Sequence, residues 1–112
     1  MLKDGECSKN MLPIQDALET LEGRWKLLIL LALSSGPKRF RQLAKEVSGI
    51  TDKTLSKELK SLEANQLVKR EVRDTFPPTV EYSITPHGLS MEKMIDGLQQ
   101  WGAAHRRQVM GK

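Results

Sequence analysis

Thr51-Asp52-Lys53-Thr54-Leu55-Ser56-Lys57-Glu58-Leu59-Lys60-Ser61-Leu62-Glu63-Ala64 reads as a helix with two unlike faces. At about 100° per residue, Leu55, Leu59 and Leu62 fall within one narrow arc. Lys53, Lys57 and Lys60 fall opposite, flanked by Thr54, Ser56 and Ser61. Thr51 is placed to cap the first turn, and Asp52 suits the partial positive charge there. Asn65-Gln66 closes the helix, with Asn65 able to take a left-handed conformation. An apolar anchor behind lysines and hydroxyls suits a helix that reads a polyanion, because lysine bonds guanine edges or phosphate and hydroxyls serve either role. An ordinary amphipathic surface helix carries the same pattern, so the neighbouring segments decide.

Upstream, Ser48-Gly49-Ile50 is a tight turn, and Phe40 to Val47 is a short helix with Phe40, Leu43, Ala44 and Val47 on one face. Ser35-Gly36-Pro37 stops the element before it. That element, about Arg24 to Ser34, contains the apolar run Leu27 to Leu33 and reads as a central helix buried all round. A buried strand is the competing reading; Trp25 at helical spacing and the scarcity of β-branched residues favour helix. Gly23 separates it from a short helix opened by Pro13, with Ile14, Ala17, Leu18 and Leu21 at helical spacing. Residues 1–12 show no periodicity and read as a flexible tail.

Downstream, Val68 and Val72, then Val80, Tyr82 and Ile84, alternate with polar residues as two short strands. Asp74-Thr75-Phe76-Pro77-Pro78 links them in a rigid loop, which makes a hairpin over 67–84. Thr85-Pro86 pairs a cap with a proline at the first helical position. The helix it opens, about 86–109, carries the stripe Met91, Met94, Ile95, Leu98 and Trp101.

Helix, helix, short helix, tight turn, helix and hairpin is the order of a winged helix-turn-helix. The expected fold is mainly α with a small β-hairpin, in a single domain over 13–112. In that fold the helix at about 51–64 enters the major groove of double-stranded DNA and the hairpin is the wing. Thr51, Lys53, Thr54, Ser56, Lys57 and Lys60 form the expected reading face. Arg39 and Arg41 are expected as phosphate clamps, and Arg73 and Thr75 as wing-tip contacts to phosphate or to the minor groove. Arg70 shares the phase of Val68 and Val72 and should point inward, to an internal ion pair or a DNA contact. The C-terminal stripe is long for so small a core and is expected to meet a second copy in a homodimer. Packing onto its own first and second helices is the alternative.

Composition agrees with this reading. The chain has 112 residues, a net charge of +4 and 38% hydrophobic residues. Between Pro37 and Arg73 there are ten Lys/Arg and five Asp/Glu, a net of +5, so basic charge concentrates in mid-chain. The lone Cys7 cannot form an internal disulfide, and neither His87 nor His105 has metal-ligand spacing, so no metal or cofactor is expected. No phosphate loop or nucleophile elbow supports an enzyme. The absence of a signal-peptide core or membrane-length apolar run suggests a cytoplasmic location. A winged-helix domain used only for RNA or protein contact is the alternative. Its RNA form usually brings exposed aromatics, and aromatic residues are only 4%.

The chain also resembles the HxlR-type branch of winged-helix regulators. The resemblance rests on Gly23-Arg24-Trp25, Arg39-Phe40, Gly49-Ile50-Thr51-Asp52-Lys53-Thr54-Leu55 and Leu62-Glu63. Its most specific part is Pro77-Pro78-Thr79-Val80-Glu81-Tyr82-Ser83-Ile84-Thr85, followed by Gly88. Gln66 departs from it, since the family usually carries glycine there; Asn65 is the residue expected to absorb the turn. The resemblance implies transcriptional regulation by homodimers built from the first and last helices. It also implies a candidate redox sensor at Cys7, ahead of the Pro13 helix, although Ser8 follows it where the family's sensors carry proline.

Overall fold

The computed structural model describes the backbone of residues 4–111 and the side chains of residues 11–111. Eight elements follow in order: α1 (Asp4–Thr20), α2 (Lys26–Leu33), α3 (Phe40–Glu46), α4 (Asp52–Ala64), β1 (Val68–Arg73), β2 (Thr79–Ile84), α5 (Pro86–Leu89) and α6 (Glu92–Met110). The core lies among α2, α3 and α4 and the base of the hairpin. Ile29, Leu30 and Leu33 of α2 meet Leu43 of α3, Leu55, Leu59 and Leu62 of α4, and Val47, Ile50, Leu67 and Val68. The leucine arc expected on α4 is its buried face.

The hairpin is antiparallel, with Val68 opposite Ile84 and Arg73 opposite Thr79. Lys38 adds a short bridge on the far edge of β2, its N–H donating to Tyr82 O at 2.9 Å and its carbonyl accepting from Tyr82 N at 2.8 Å. The wing is therefore tied to the segment that leads into α3.

Four expectations change. First, α1 begins at Asp4 rather than at Pro13, and Pro13 lies inside it. Proline costs a helix interior about 3 kcal/mol, which is why the sequence suggests a boundary there. Second, the apolar run Leu27 to Leu33 of α2 is not buried all round, since Leu28 and Leu31 are 44% and 39% exposed. Third, the C-terminal helix is interrupted at Ser90-Met91. Gly88 is wedged against the base of the hairpin, where a Cβ would fall 2.5 Å from Ile84 Cγ1 and closer still to Leu67 O. The chain leaves that contact through tightened turns, with Met91 N donating to Gly88 O at 3.1 Å, before α6 starts. Fourth, Gln66 and not Asn65 takes the left-handed turn, with φ of 62°. Leu67 N donates to Leu62 O at 2.9 Å and Gln66 N to Glu63 O at 3.0 Å, the paired bonds of a Schellman cap.

The radius of gyration is 16.7 Å, against about 13 Å for a compact chain of this length. The excess comes with terminal helices whose apolar side chains are largely uncovered. On α1, Met11, Leu12, Ile14 and Leu18 are exposed, and on α6 so are Leu98, Trp101, Val109 and Met110.

Candidate nucleic-acid interface

α4 is fixed at both ends and from behind. Thr51 Oγ1 accepts from Thr54 N at 3.1 Å and donates to Thr54 Oγ1 at 2.9 Å, the N-cap read from sequence. Asp52 in the first turn binds Arg41 Nη2 at 2.6 Å. Behind the helix, Glu58 is buried with the leucines and accepts a 3.0 Å bond from Lys26 Nζ. Lys26 also donates to Glu22 O at 3.1 Å, so the ammonium spans the loop before α2 and the back of α4. Sequence reasoning missed this pair. Its only local signal is a glutamate at the edge of the leucine arc, and its partner lies 32 residues away.

The opposite face of α4 is open. Lys53, Lys57 and Lys60 are exposed, with Thr54, Ser56 and Ser61 half-buried beside them. None of the three lysines has an ion-pair partner among the described residues. The helix therefore presents three cations over about two turns, held in rotation by its leucines and by Glu58.

The flanking cations are more committed than the sequence suggests. Arg41 is bound to Asp52 and lies 5.0 Å over the Phe40 ring, although its side chain is 65% exposed. A surface pair of this kind is worth about 0–1 kcal/mol, so a phosphate can compete for the guanidinium. Arg39 stands exposed at the start of α3, its backbone N–H donating to Gln42 Oε1 at 2.9 Å. On the wing, Arg73 Nε donates to Glu81 Oε1 at 2.9 Å. That bond, the Glu81 charge and Glu71 beyond it raise the Arg73 pKa above its ordinary value. Arg70 is exposed, not inward. The two-stranded hairpin runs beyond the core, so its inward phase is buried at Val68 and open again at Val72, 60% exposed.

At the wing tip, Thr75 N donates to Arg73 O and Thr75 Oγ1 to Pro77 O, both at 2.9 Å. Next to it, Phe76 is fully exposed. Periodicity does not single out Phe76, although a phenylalanine between Thr75 and two prolines has no periodic partner to bury it.

The C-terminal stripe is divided. Met91 and Ile95 pack against the chain's own core. Met94, Leu98 and Trp101 remain 38%, 48% and 66% exposed, and Trp101 stacks on His105 with ring centroids 4.8 Å apart. Cys7 lies on α1 by its backbone, but its side chain is outside the described residues. No helix is long and apolar enough to cross a membrane among the described residues.

Comparison with known proteins agrees with this geometry. The pattern of the HxlR-like helix-turn-helix family matches residues 20–110. The HTH-type transcriptional regulator YtcD of Bacillus subtilis (strain 168) is 38% identical over 106 residues, covering 95% of this chain and 84% of its own length. The redox regulator HypR in its reduced form superposes with a TM-score of 0.82 at 32% identity, over 89% of this chain and 99% of HypR. The reduced transcriptional regulator YodB from B. subtilis superposes with a TM-score of 0.75 at 29% identity, over 97% of this chain and 95% of YodB.

Proposed function

The chain belongs to the HxlR-like helix-turn-helix family, and on that premise we propose that it is a sequence-specific, duplex-DNA-binding regulator of transcription that acts as a homodimer. The observation that carries this is the open lysine face of α4, backed by a leucine arc that leaves the helix no rotational freedom. Lys53, Lys57 and Lys60, with Thr54 and Ser56, enter the major groove; Thr51 caps the helix that carries them. Arg39 and Arg41 approach the phosphates at the start of α3, and Arg73 and Thr75 bring the wing to the flanking backbone.

Two copies are needed for a useful site, because one such module offers few base contacts. The uncovered apolar residues of α1 and α6 support a two-fold interface between terminal helices, with Leu98 and Trp101 near its centre. Two α4 helices related by that axis bind half-sites about one DNA turn apart. The direct experiment is selection of bound fragments from genomic DNA: one recurrent, two-fold-related motif is expected, and enrichment without any motif overturns sequence-specific reading.

From HypR, a redox regulator, we carry a further reading to this chain: Cys7 is an oxidant-responsive thiol. On α1, beside the proposed dimer interface, its oxidation alters the relative placement of the two α4 helices and weakens operator binding.

A further inference from the structure

We propose that Phe76 is an apolar wedge that enters the DNA minor groove next to the major-groove site and unstacks a base step there. The inference rests on the DNA-binding reading above and assigns to the wing a task other than gripping phosphate.

The hairpin brings no net charge to DNA. Residues 68–84 carry Lys69, Arg70 and Arg73 against Glu71, Asp74 and Glu81. Two of the three cations face carboxylates of the wing itself, Lys69 with Glu71 at 3.2 Å and Arg73 with Glu81 at 2.9 Å, so a phosphate must compete for them. With no net charge, the wing gains little Coulombic attraction to the backbone beyond the contacts of Arg73 and Thr75. What the tip offers instead is an aromatic ring.

Phe76 is 102% exposed, the full surface of the residue. The chain has five aromatic residues. Trp25, Phe40 and Tyr82 pack on the core, and Trp101 lies on α6 against His105. Phe76 alone among them touches nothing that explains it. Its loop is held by the two bonds of Thr75 and by Pro77-Pro78, so little freedom is lost when the ring is inserted. Apolar side chains act in this way when they open a base step from the minor groove.

The reach is suitable. Five steps from Val68 to Arg73 span about 16–17 Å at the rise of a strand. Half of a DNA turn, from a major-groove site to the adjacent minor groove, is about 17 Å. The hairpin springs from the end of α4, so the helix and the tip can occupy neighbouring grooves together.

The test uses a duplex recovered by the protein from genomic fragments, titrated at several salt concentrations with the wild type, Phe76→Ala, Phe76→Leu and Lys57→Ala. Because Phe76 contacts no core residue, all variants should melt like the wild type. Phe76→Ala should bind about 10- to 100-fold more weakly, the worth of one buried aromatic side chain, with the salt slope unchanged. Phe76→Leu, still a wedge, should stay within a few-fold of wild type. Lys57→Ala should lower the salt slope by about one. A 2-aminopurine placed at the flanking step should brighten with the wild type and Phe76→Leu but not with Phe76→Ala. If Lys57→Ala responds while Phe76→Ala binds as the wild type, the wedge is overturned alone and Phe76 serves another surface, such as a protein partner. A loss with Phe76→Ala that changes the salt slope and leaves 2-aminopurine dark in the wild type also overturns it. If the wild type recovers no duplex, the DNA-binding reading falls and the wedge falls with it.

Discussion

Glu58, on the buried side of α4, meets Lys26 at the start of α2 at 3.0 Å, with both side chains about nine-tenths buried. This ion pair stands among leucines, behind a helix whose outer face is positive. It sets the angle at which that face is presented, and removing one partner leaves the other charge without compensation. Glu58→Leu or Lys26→Met is expected to destabilise the fold by about 3 kcal/mol, whereas the double replacement should be nearly neutral. Urea denaturation of the four proteins gives the coupling; equal and additive losses would refute it.

Lys53 and Lys57 test the outer face. Each replaced by alanine should cost about 1–3 kcal/mol of operator affinity if it reads a base edge, and less if it meets only phosphate. Stability should not change, because neither side chain enters the core. Wild-type affinity in the double variant would exclude α4 as the reading helix.

Gly88 and Gln66 have opposite expectations. Gly88→Ala pushes a methyl group into Leu67 O and Ile84 and should destabilise the protein by about 1–3 kcal/mol. Gln66 holds a left-handed conformation that costs a side-chain-bearing residue about 1–2 kcal/mol. Gln66→Gly relieves that cost, less the entropy glycine gains in the unfolded chain, for a net gain of about 0.5–1 kcal/mol. Thermal melts should therefore move in opposite directions.

The proposed dimer can be separated from the fold by charging Leu98 and Trp101, since neither is part of the core. Leu98→Glu with Trp101→Glu is expected to give a folded monomer by sedimentation. Truncation before Met91 is a poorer test, because Met91 and Ile95 support the core. An unchanged dimer in the double variant would place the interface elsewhere.

Cys7 is expected to answer diamide. Two Cys7 thiols, one from each protomer, would give up two electrons and two protons to the reagent and close a disulfide. Operator binding should fall after treatment and return with a thiol reductant, and Cys7→Ser should stay bound throughout. Identical responses of wild type and Cys7→Ser would remove Cys7 from the switch.

What the sequence reveals here depends on whether the physics is local. The leucine arc and lysine face of α4, the Thr51 cap and the hairpin positions follow from periodicity and cap chemistry, and all are observed. Glu58 was hidden because its partner is far along the chain. Arg70 is exposed against expectation because strand alternation says which face a residue takes but not whether anything lies beneath it. The break at Ser90-Met91 arises from a tertiary contact at Gly88, invisible to a helical pattern that continues on both sides. Pro13 misled for the opposite reason: a strong local signal was overridden.

The junction at Gln66 has a consequence for the DNA itself. The two capping bonds at the end of α4, the 2.6 Å bond from Thr85 Oγ1 to Gln66 O and the 3.0 Å bond from Thr85 N to Leu67 O join helix and both strands at one point. Helix and wing are thereby joined like the jaws of a locked caliper. In the proposed complex each protomer gauges a set length of double helix, and any adjustment to half-site spacing falls on α1 and α6. Supercoiling, which rotates one groove relative to the next, would change operator occupancy without altering a single base or any residue of the protein.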